Sequence, residues 1–261
     1  MYHSISDDPE PAFSPYYKVC TSPRRFAEHM QWLEDAGWRG VSLSDGLDIL
    51  AGKKHIDGKP VAITFDDGFR DFHTEAFPIL QRHGFSATMY LPTAFIGNER
   101  KTFKTRECLT WAEMRLMHQA GIEFGSHTVN HPKLVDLRWP EIETELRESK
   151  ATIEQQLGHP INSFAYPYAF PQENQPFTEN LTAVLRRLGY QNCATTVVRR
   201  ERAAPHPFLI KRLPVNACDD RALLAAKLDG AYDWLALPQE AVRRWKSRRR
   251  TRQMTVPART G

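Results

Sequence analysis

The sequence has few of the features that mark several protein classes. Its cysteines, Cys20, Cys108, Cys193 and Cys218, stand far apart and form no C-x-x-C pair, which argues against a zinc ribbon or a disulfide-dense scaffold. No stretch approaches 18 uncharged apolar residues, so no transmembrane helix is expected. Low-complexity, collagen-like and coiled-coil patterns are also missing. With 41% apolar and 25% charged residues, the composition excludes wholesale disorder.

The N-terminus offers little evidence of targeting. It has neither a charged n-region nor an apolar h-region, so no signal peptide is predicted, and a cytoplasmic location is the default expectation. Residues 2–5 resemble the last half of a strand, which leaves an upstream start codon as an open alternative.

The positive charge is concentrated at the C-terminus. The net charge is +4, and eight basic residues but no acidic ones lie from Arg243 onward, so the rest of the chain is net acidic. A nucleic-acid-binding domain is therefore disfavoured, because it needs a basic stripe on its folded surface. We predict one domain over residues 1–240 and a disordered basic tail over 241–261. Contact of the tail with an anionic polymer or a membrane surface is the less favoured alternative.

Short apolar runs alternate with helical patterns along the chain. Strands are predicted at 61–65, 86–91, 122–125, 163–167, 193–198 and 209–213. Helices are predicted at 23–36, 44–52, 71–83, 110–120, 139–157, 177–188 and 219–229. Four of these helices end at a glycine just before an apolar run, which indicates βα units and a parallel sheet or barrel. In such folds the chemistry lies at the C-terminal ends of the strands.

Two adjacent carboxylates follow the first of these strands, in Thr64-Phe65-Asp66-Asp67-Gly68. Like charges so close raise one another's pKa, so this pair is expensive to place. A turn at Gly68 can bring both into one cleft, where one holds a cation and the other serves as a base. A plain turn that caps the next helix is the alternative.

A histidine pair follows the strand at 122–125, in Ser126-His127-Thr128-Val129-Asn130-His131. Histidines four residues apart form a recurring metal-ligand arrangement, although in isolation two surface histidines are the favoured interpretation. Because both motifs follow strands of one parallel sheet, an Asp-His-His set with an open position for water becomes the better interpretation. The pattern predicts a hydrolytic metal site.

The third motif is Phe164-Ala165-Tyr166-Pro167-Tyr168, a strand that runs into a proline turn. We interpret Tyr166 and Pro167 as a wall of the substrate pocket, and the backbone N–H of Tyr168 as a donor to an oxyanion. Plain aromatic packing is the alternative.

TFDDG, SHTVNH and FAYPY, in this order and at these separations, resemble the polysaccharide deacetylase family, the NodB-homology group of carbohydrate esterases. The resemblance covers about residues 1–216 and implies a distorted (β/α)7 barrel with one divalent cation. That cation is most often zinc, with cobalt or nickel as alternatives. Asp67, His127 and His131 match the metal ligands, Asp66 matches the catalytic base, and Tyr168 matches the oxyanion donor.

The sequence departs from the usual family pattern in two places. Ala165 stands where an arginine commonly braces the catalytic aspartate, and residues 209–216 lack the histidine that commonly supplies the general acid. Both departures resemble the branch that de-N-acetylates poly-β-1,6-N-acetylglucosamine, in which a histidine at the end of the first strand is the acid. His3 matches that histidine, and His206 is the second candidate.

The function implied by the resemblance is metal-dependent removal of N-acetyl groups from N-acetylhexosamine units of a glycan. O-deacetylation of an acetylated polysaccharide is the alternative within the same chemistry. A catalytically inactive carbohydrate-binding relative is the alternative from another class, and the intact Asp66, Asp67, His127 and His131 argue against it.

Overall fold

A computed structural model describes residues 1–8, 19–201 and 204–235 of the chain. The predicted domain boundary at residue 240 and the basic tail lie outside these residues. No helix in the described part of the chain is both long and apolar enough to cross a lipid bilayer.

Strands and helices alternate along most of the described chain. The strands are β1 (Ser4–Ile5), β2 (Cys20–Thr21), β3 (Trp38–Val41), β4 (Lys59–Ala62), β5 (Thr64–Phe65), β6 (Thr88–Leu91), β7 (Thr102–Phe103), β8 (Arg106–Glu107), β9 (Glu123–Ser126), β10 (Ser163–Ala165), β11 (Asn192–Val198) and β12 (Ile210–Arg212). The α-helices are α1 (Pro23–Asp35), α2 (Leu43–Leu50), α3 (Phe77–Arg82), α4 (Trp111–Gln119), α5 (Trp139–Leu157), α6 (Gln175–Arg187) and α7 (Arg221–Asp229).

The main sheet is parallel and has the strand order β12-β11-β10-β9-β6-β5. The N-terminal residues lie between its two edges. The Tyr2 N–H donates to the Thr64 carbonyl over 2.8 Å, and the Met1 amine donates to the Leu213 carbonyl over 2.9 Å. The sheet therefore curls into the distorted barrel that the sequence predicted, and the fold class is confirmed.

Side chains of the sheet point alternately into the barrel and toward the helices. The interior cluster contains Leu43, Tyr90, Ala165, Ala194 and Ile210. The larger outer cluster packs the sheet against the helices. Because both faces are covered, most residues of these strands are buried, as in parallel sheets generally.

The structure differs from the sequence prediction in several elements. The predicted helix 71–83 is a π-helical turn over Phe72–Ala76 followed by α3, because Pro78 has no N–H to donate to the carbonyl four residues before it. Strands β2 and β3 and the β7–β8 hairpin were not predicted, and the predicted strand 61–65 is divided between β4 and β5. The hairpin turn, Lys104-Thr105, contains no glycine, asparagine or aspartate, which are the residues that usually mark such turns.

Close packing in the barrel interior gives a stability prediction for Gly125. A Cβ atom at this position would lie 2.6 Å from Tyr90 Cε1 and 2.8 Å from the Ser163 carbonyl oxygen. We expect Gly125→Ala to lower the free energy of unfolding by about 1–3 kcal/mol, measured by urea denaturation. Gly46→Ala, in helix α2, is the matched control. Its Cβ would lie 3.3 Å from the nearest atom, the Cβ of Ala62, and so meets much less crowding. Equal stability of the two variants would contradict this account of the interior.

Candidate active site

The ends of four strands of the main sheet meet at one cleft, which is lined by polar side chains. Asp66 and Asp67 follow β5, and His127 follows β9. Ala165 ends β10 and Arg212 ends β12. Since parallel strands place their carboxyl ends at one edge of a sheet, residues far apart in sequence meet there.

Asp67, His127 and His131 converge on a single point. One ligand atom from each lies within 4.8 Å of the others, and all three residues are buried. The Nε2 atoms of His131 and His127 lie 3.2 and 3.8 Å from the same oxygen, Asp67 Oδ1. A carboxylate oxygen facing two imidazole nitrogens is a donor set that suits a divalent cation.

A hydrogen bond orients the His127 ring toward the common point. His127 Nδ1 lies 2.7 Å from the Ala165 carbonyl oxygen, and because a carbonyl only accepts, Nδ1 carries the proton and Nε2 keeps its lone pair. Burial lowers the pKa of His127 to about 4, so its ring is neutral at pH 7. Asp67 Oδ1 is buried and has no hydrogen-bond donor among the described residues. These features fit a cation at this point.

The loop between the two histidines is held by side chains rather than by regular structure. The N–H of His131 donates to Thr128 Oγ1 over 3.0 Å. The N–H groups of Val129 and Asn130 donate to Glu145 Oε2 of helix α5, over 2.8 and 2.9 Å. The histidine spacing therefore places both rings on one side of an irregular loop, not of a helix.

Strained backbone is concentrated at the site. Four non-glycine residues there have positive φ angles: Asp67 at 75°, Thr128 at 70°, His131 at 54° and Tyr168 at 60°. L-residues rarely adopt this region, and such residues cluster at functional sites. The packing thus imposes these conformations at a cost in free energy.

Asp66 forms a buried ion pair that the sequence did not predict. The guanidinium of Arg212 donates to both carboxylate oxygens of Asp66, over 2.7 and 2.8 Å. Burial alone would raise the pKa of Asp66, but Arg212 lowers it to about 2. Asp66 is therefore ionised at neutral pH.

Asp66 has its arginine partner on β12, whereas position 165 on β10 carries alanine. Arg212 lies over the Tyr90 ring, with its guanidinium carbon 5.8 Å from the ring centre, and Tyr90 shares the interior cluster with Ala165. The arginine that the family pattern carries at 165 is thus supplied here by β12. The available sequence signal was a charged residue within the apolar run Leu209-Ile210-Lys211-Arg212-Leu213.

The two candidate acids lie in different places. His3 is half-buried, and burial lowers its pKa while the charges of Asp67 and Asp66 raise it. His206 is exposed and precedes β12. The next residue, Pro207, accepts a hydrogen bond from the Cys193 N–H near the start of β11. His206 therefore lies at the N-terminal ends of the strands, whereas the site lies at their C-terminal ends. The structure does not bring His206 to the site.

The third motif is only partly at the site. Tyr166 is 1% exposed, and its ring packs in the core 5.0 Å from that of Phe170. The expectation that Tyr166 lines the pocket is wrong, because alternation along the strand turns its side chain toward the helices. Pro167 is also buried.

Tyr168, by contrast, is 45% exposed, and its ring lies 4.6 Å from that of His131. Its carbonyl accepts from Thr196 Oγ1 over 2.9 Å. Within the described part of the chain its backbone N–H donates to no other group. Thr196 thus holds the turn with a free N–H beside the cluster.

A second cation at the site was also missed. Lys104 Nζ, from the turn of the β7–β8 hairpin, lies 2.9 Å from Asp67 Oδ2. Burial alone would raise the pKa of Asp67, but the close approach of His131 and the charges of His3 and Lys104 hold it well below its usual range.

Comparison with known proteins agrees with this geometry. The profile of the polysaccharide deacetylase family matches residues 53–193. The chain belongs to the polysaccharide deacetylase family. It is similar to two solved structures, each over 87% of its length: the Streptococcus pyogenes deacetylase PplD in complex with acetate, at 26% identity, TM-score 0.73 and 95% of that chain, and IcaB from Ammonifex degensii, at 25% identity, TM-score 0.70 and 94% of that chain.

Curated relatives are longer than this chain. The YxkH protein of Bacillus subtilis is 29% identical over 196 residues, which are 75% of this chain and 63% of the relative. The poly-β-1,6-N-acetyl-D-glucosamine N-deacetylase of Escherichia coli is 30% identical over 138 residues, which are 49% of this chain and 20% of the relative. The chain thus matches less than two thirds of the length of each.

The Asp66–Arg212 pair gives a second stability prediction. Arg212→Met leaves the buried Asp66 charge unpaired, so we expect a loss of about 3–5 kcal/mol in the free energy of unfolding. Adding Asp66→Asn should recover part of that loss, because it removes the uncompensated charge. Denaturant titration of the two single variants and the double variant measures the coupling. Strictly additive losses would show that the pair is not coupled.

Proposed function

We propose that this protein is a metal-dependent hydrolase that removes N-acetyl groups from N-acetylhexosamine units of a polysaccharide or oligosaccharide. The observation that carries the proposal is the buried Asp67–His127–His131 cluster next to an ionised Asp66. Family membership supports deacetylation. The name of the Escherichia coli relative supports an N-acetylglucosamine-type substrate.

Asp67, His127 and His131 would hold the cation, for which we propose zinc. Three protein donors without a thiolate are typical of catalytic rather than structural zinc sites, and this set also accepts cobalt or nickel. A cation held here would supply Lewis acidity toward the acetyl carbonyl and toward water. The neutral ring of His127 and the ionised Asp67 are in the protonation states that ligation requires.

Asp66 is the proposed general base. Arg212 keeps it ionised and fixes its orientation, while each carboxylate oxygen retains a lone pair for a second hydrogen bond. A carboxylate with a pKa of about 2 is a weak base, so it can deprotonate only a water whose own pKa is lowered. Arg212 is the proposed positioning residue for this step.

The backbone N–H of Tyr168 is the proposed oxyanion donor. It is free among the described residues, and the Thr196 hydrogen bond to the Tyr168 carbonyl restrains the turn that carries it. A donor held in place before the reaction costs no reorganisation when charge develops on the carbonyl oxygen.

His3 is the proposed general acid that protonates the leaving amine. Tyr2 is bonded on both sides, since its N–H donates to Thr64 and its carbonyl accepts from the Asp66 N–H over 3.1 Å. These bonds hold His3 at the rim that carries Asp66 and Asp67. His206 is too remote for this role.

The cation assignment is tested by metal analysis of purified variants. We expect the wild-type chain to bind one divalent cation and His131→Ala to lose it. Asp66→Asn should retain the cation yet lose most of its acetate release from N-acetylglucosamine oligomers, because it removes the base and not a ligand. Full occupancy in His131→Ala would refute the assignment. Loss of the cation in Asp66→Asn but not in Asp67→Asn would reverse the two carboxylate roles.

The acid assignment is tested with two leaving groups. General acid catalysis contributes about 10²–10⁴-fold, so His3→Ala should lower amide hydrolysis by that order while the metal content is unchanged. Hydrolysis of an acetyl ester with a good leaving group should fall much less, because that group departs without protonation. His206→Ala is the control and should hydrolyse both substrates at the wild-type rate. Equal loss on both substrates in His3→Ala would exclude His3 as the acid.

A further inference from the structure

The two oxygens of the Asp67 carboxylate have different surroundings. Oδ1 faces the Nε2 atoms of both histidines and has no hydrogen-bond donor among the described residues. Oδ2 faces the other way and accepts a hydrogen bond from Lys104 Nζ over 2.9 Å. Only one oxygen of this carboxylate is therefore left for a cation.

Lys104 is held in place by its hairpin. Lys104 and Thr105 form a two-residue turn with φ angles of 49° and 67°, the positive values of a type I′ turn. Neither lysine nor threonine adopts these angles readily, so the turn is strained. Backbone strain of this kind is common where a structure holds a side chain in a functional orientation.

Packing on both sides of the turn fixes the hairpin against the site. The Phe103 ring lies 4.2 Å from that of Phe95 and 5.2 Å from that of His131. On the other strand, Arg106 donates to Ser4 Oγ over 3.1 Å, next to His3. The ammonium of Lys104 also lies 4.7 Å from the centre of the Phe103 ring. These contacts restrict where the Lys104 side chain can go.

We propose that Lys104 is a positioning residue that reserves Asp67 Oδ2 and so limits Asp67 to one donor atom toward the cation. This inference rests on the proposed function, since it takes Asp67 as a ligand. Its consequence is that a position stays open for water and the acetyl group. Catalytic cation sites require such an open position, whereas a cation whose positions are all filled by protein atoms has no place for water or substrate.

Removing Lys104 should therefore have opposite effects on binding and turnover. Without the ammonium, Oδ2 is free to become an additional donor, and a nearby positive charge is lost. Both changes strengthen cation binding. Turnover falls, because the added oxygen occupies the open position. If Lys104 only filled space at the surface, its removal would change neither the cation affinity nor the turnover.

The experiment compares three full-length variants after chelator-stripping and reloading with Co²⁺ or Zn²⁺. Lys104→Met removes the ammonium and Lys104→Arg keeps a donor. Lys133→Met is the control, since Lys133 is also a lysine at the mouth of the site, 5.7 Å from the Tyr168 ring centre, and has no bond to Asp67 among the described residues. The readouts are the cation dissociation constant from chelator competition, the visible absorption of the Co²⁺ form, and acetate release. Lys104 is partly exposed, so we expect Lys104→Met to fold.

We expect Lys104→Met to bind the cation several-fold more tightly and to release acetate about 10–100-fold more slowly. Its Co²⁺ absorption should weaken, because a higher coordination number lowers the intensity of these bands. Lys104→Arg should restore most of the wild-type affinity and spectrum, and Lys133→Met should resemble the wild type in both.

Wild-type affinity and spectrum in Lys104→Met would overturn the inference. Tighter cation binding with an unchanged spectrum would also overturn the inference. It would show that Lys104 acts only through its charge and does not control the coordination by Asp67 Oδ2. Failure of the proposed function gives a different result, namely full cation occupancy in His131→Ala. The two failures are therefore distinguishable.

Discussion

Two adjacent carboxylates, Asp66 and Asp67, are buried at the carboxyl ends of the strands. Burying two like charges costs free energy, and the other charged residues of the site offset that cost. Desolvation disfavours each charge, and each carboxylate disfavours the other. The structure compensates the two charges separately. Arg212 donates to both oxygens of Asp66. Lys104 donates to one oxygen of Asp67, and the other oxygen faces two imidazole nitrogens. The different partners give two neighbouring aspartates different chemistry.

This arrangement depends on closing the sheet. β5 and β12 are its two edges, so Asp66 meets Arg212 only because the sheet curls until those edges approach. Met1 and Tyr2 lie between the edges and hydrogen-bond to both. The same closure brings His3 to the rim. Closure of the barrel thus pairs charged residues that are far apart in the chain.

Local patterns predicted the strands of the main sheet and the residues at their ends, because apolar runs and glycine-terminated helices are local signals. Asp66, Asp67, His127 and His131 could be placed together from the rule that parallel strands share a carboxyl edge. Arg212 could not be assigned, since its partner is 146 positions away in the chain. Lys104 could not be found either, because its turn lacks the usual turn residues. The error at Tyr166 came from treating a motif as one surface, whereas alternate residues of a strand face opposite sides.

The central claim is that Asp67, His127 and His131 hold one cation beside Asp66. Anomalous diffraction from zinc- or cobalt-loaded crystals, collected at the metal absorption edge, tests it most directly. The account predicts one strong peak at about 2.0–2.2 Å from Asp67 Oδ1 and from the Nε2 atoms of both histidines, with Asp67 Oδ2 still bonded to Lys104. A fully loaded crystal with no peak among these three atoms, or with its peak elsewhere, would contradict it.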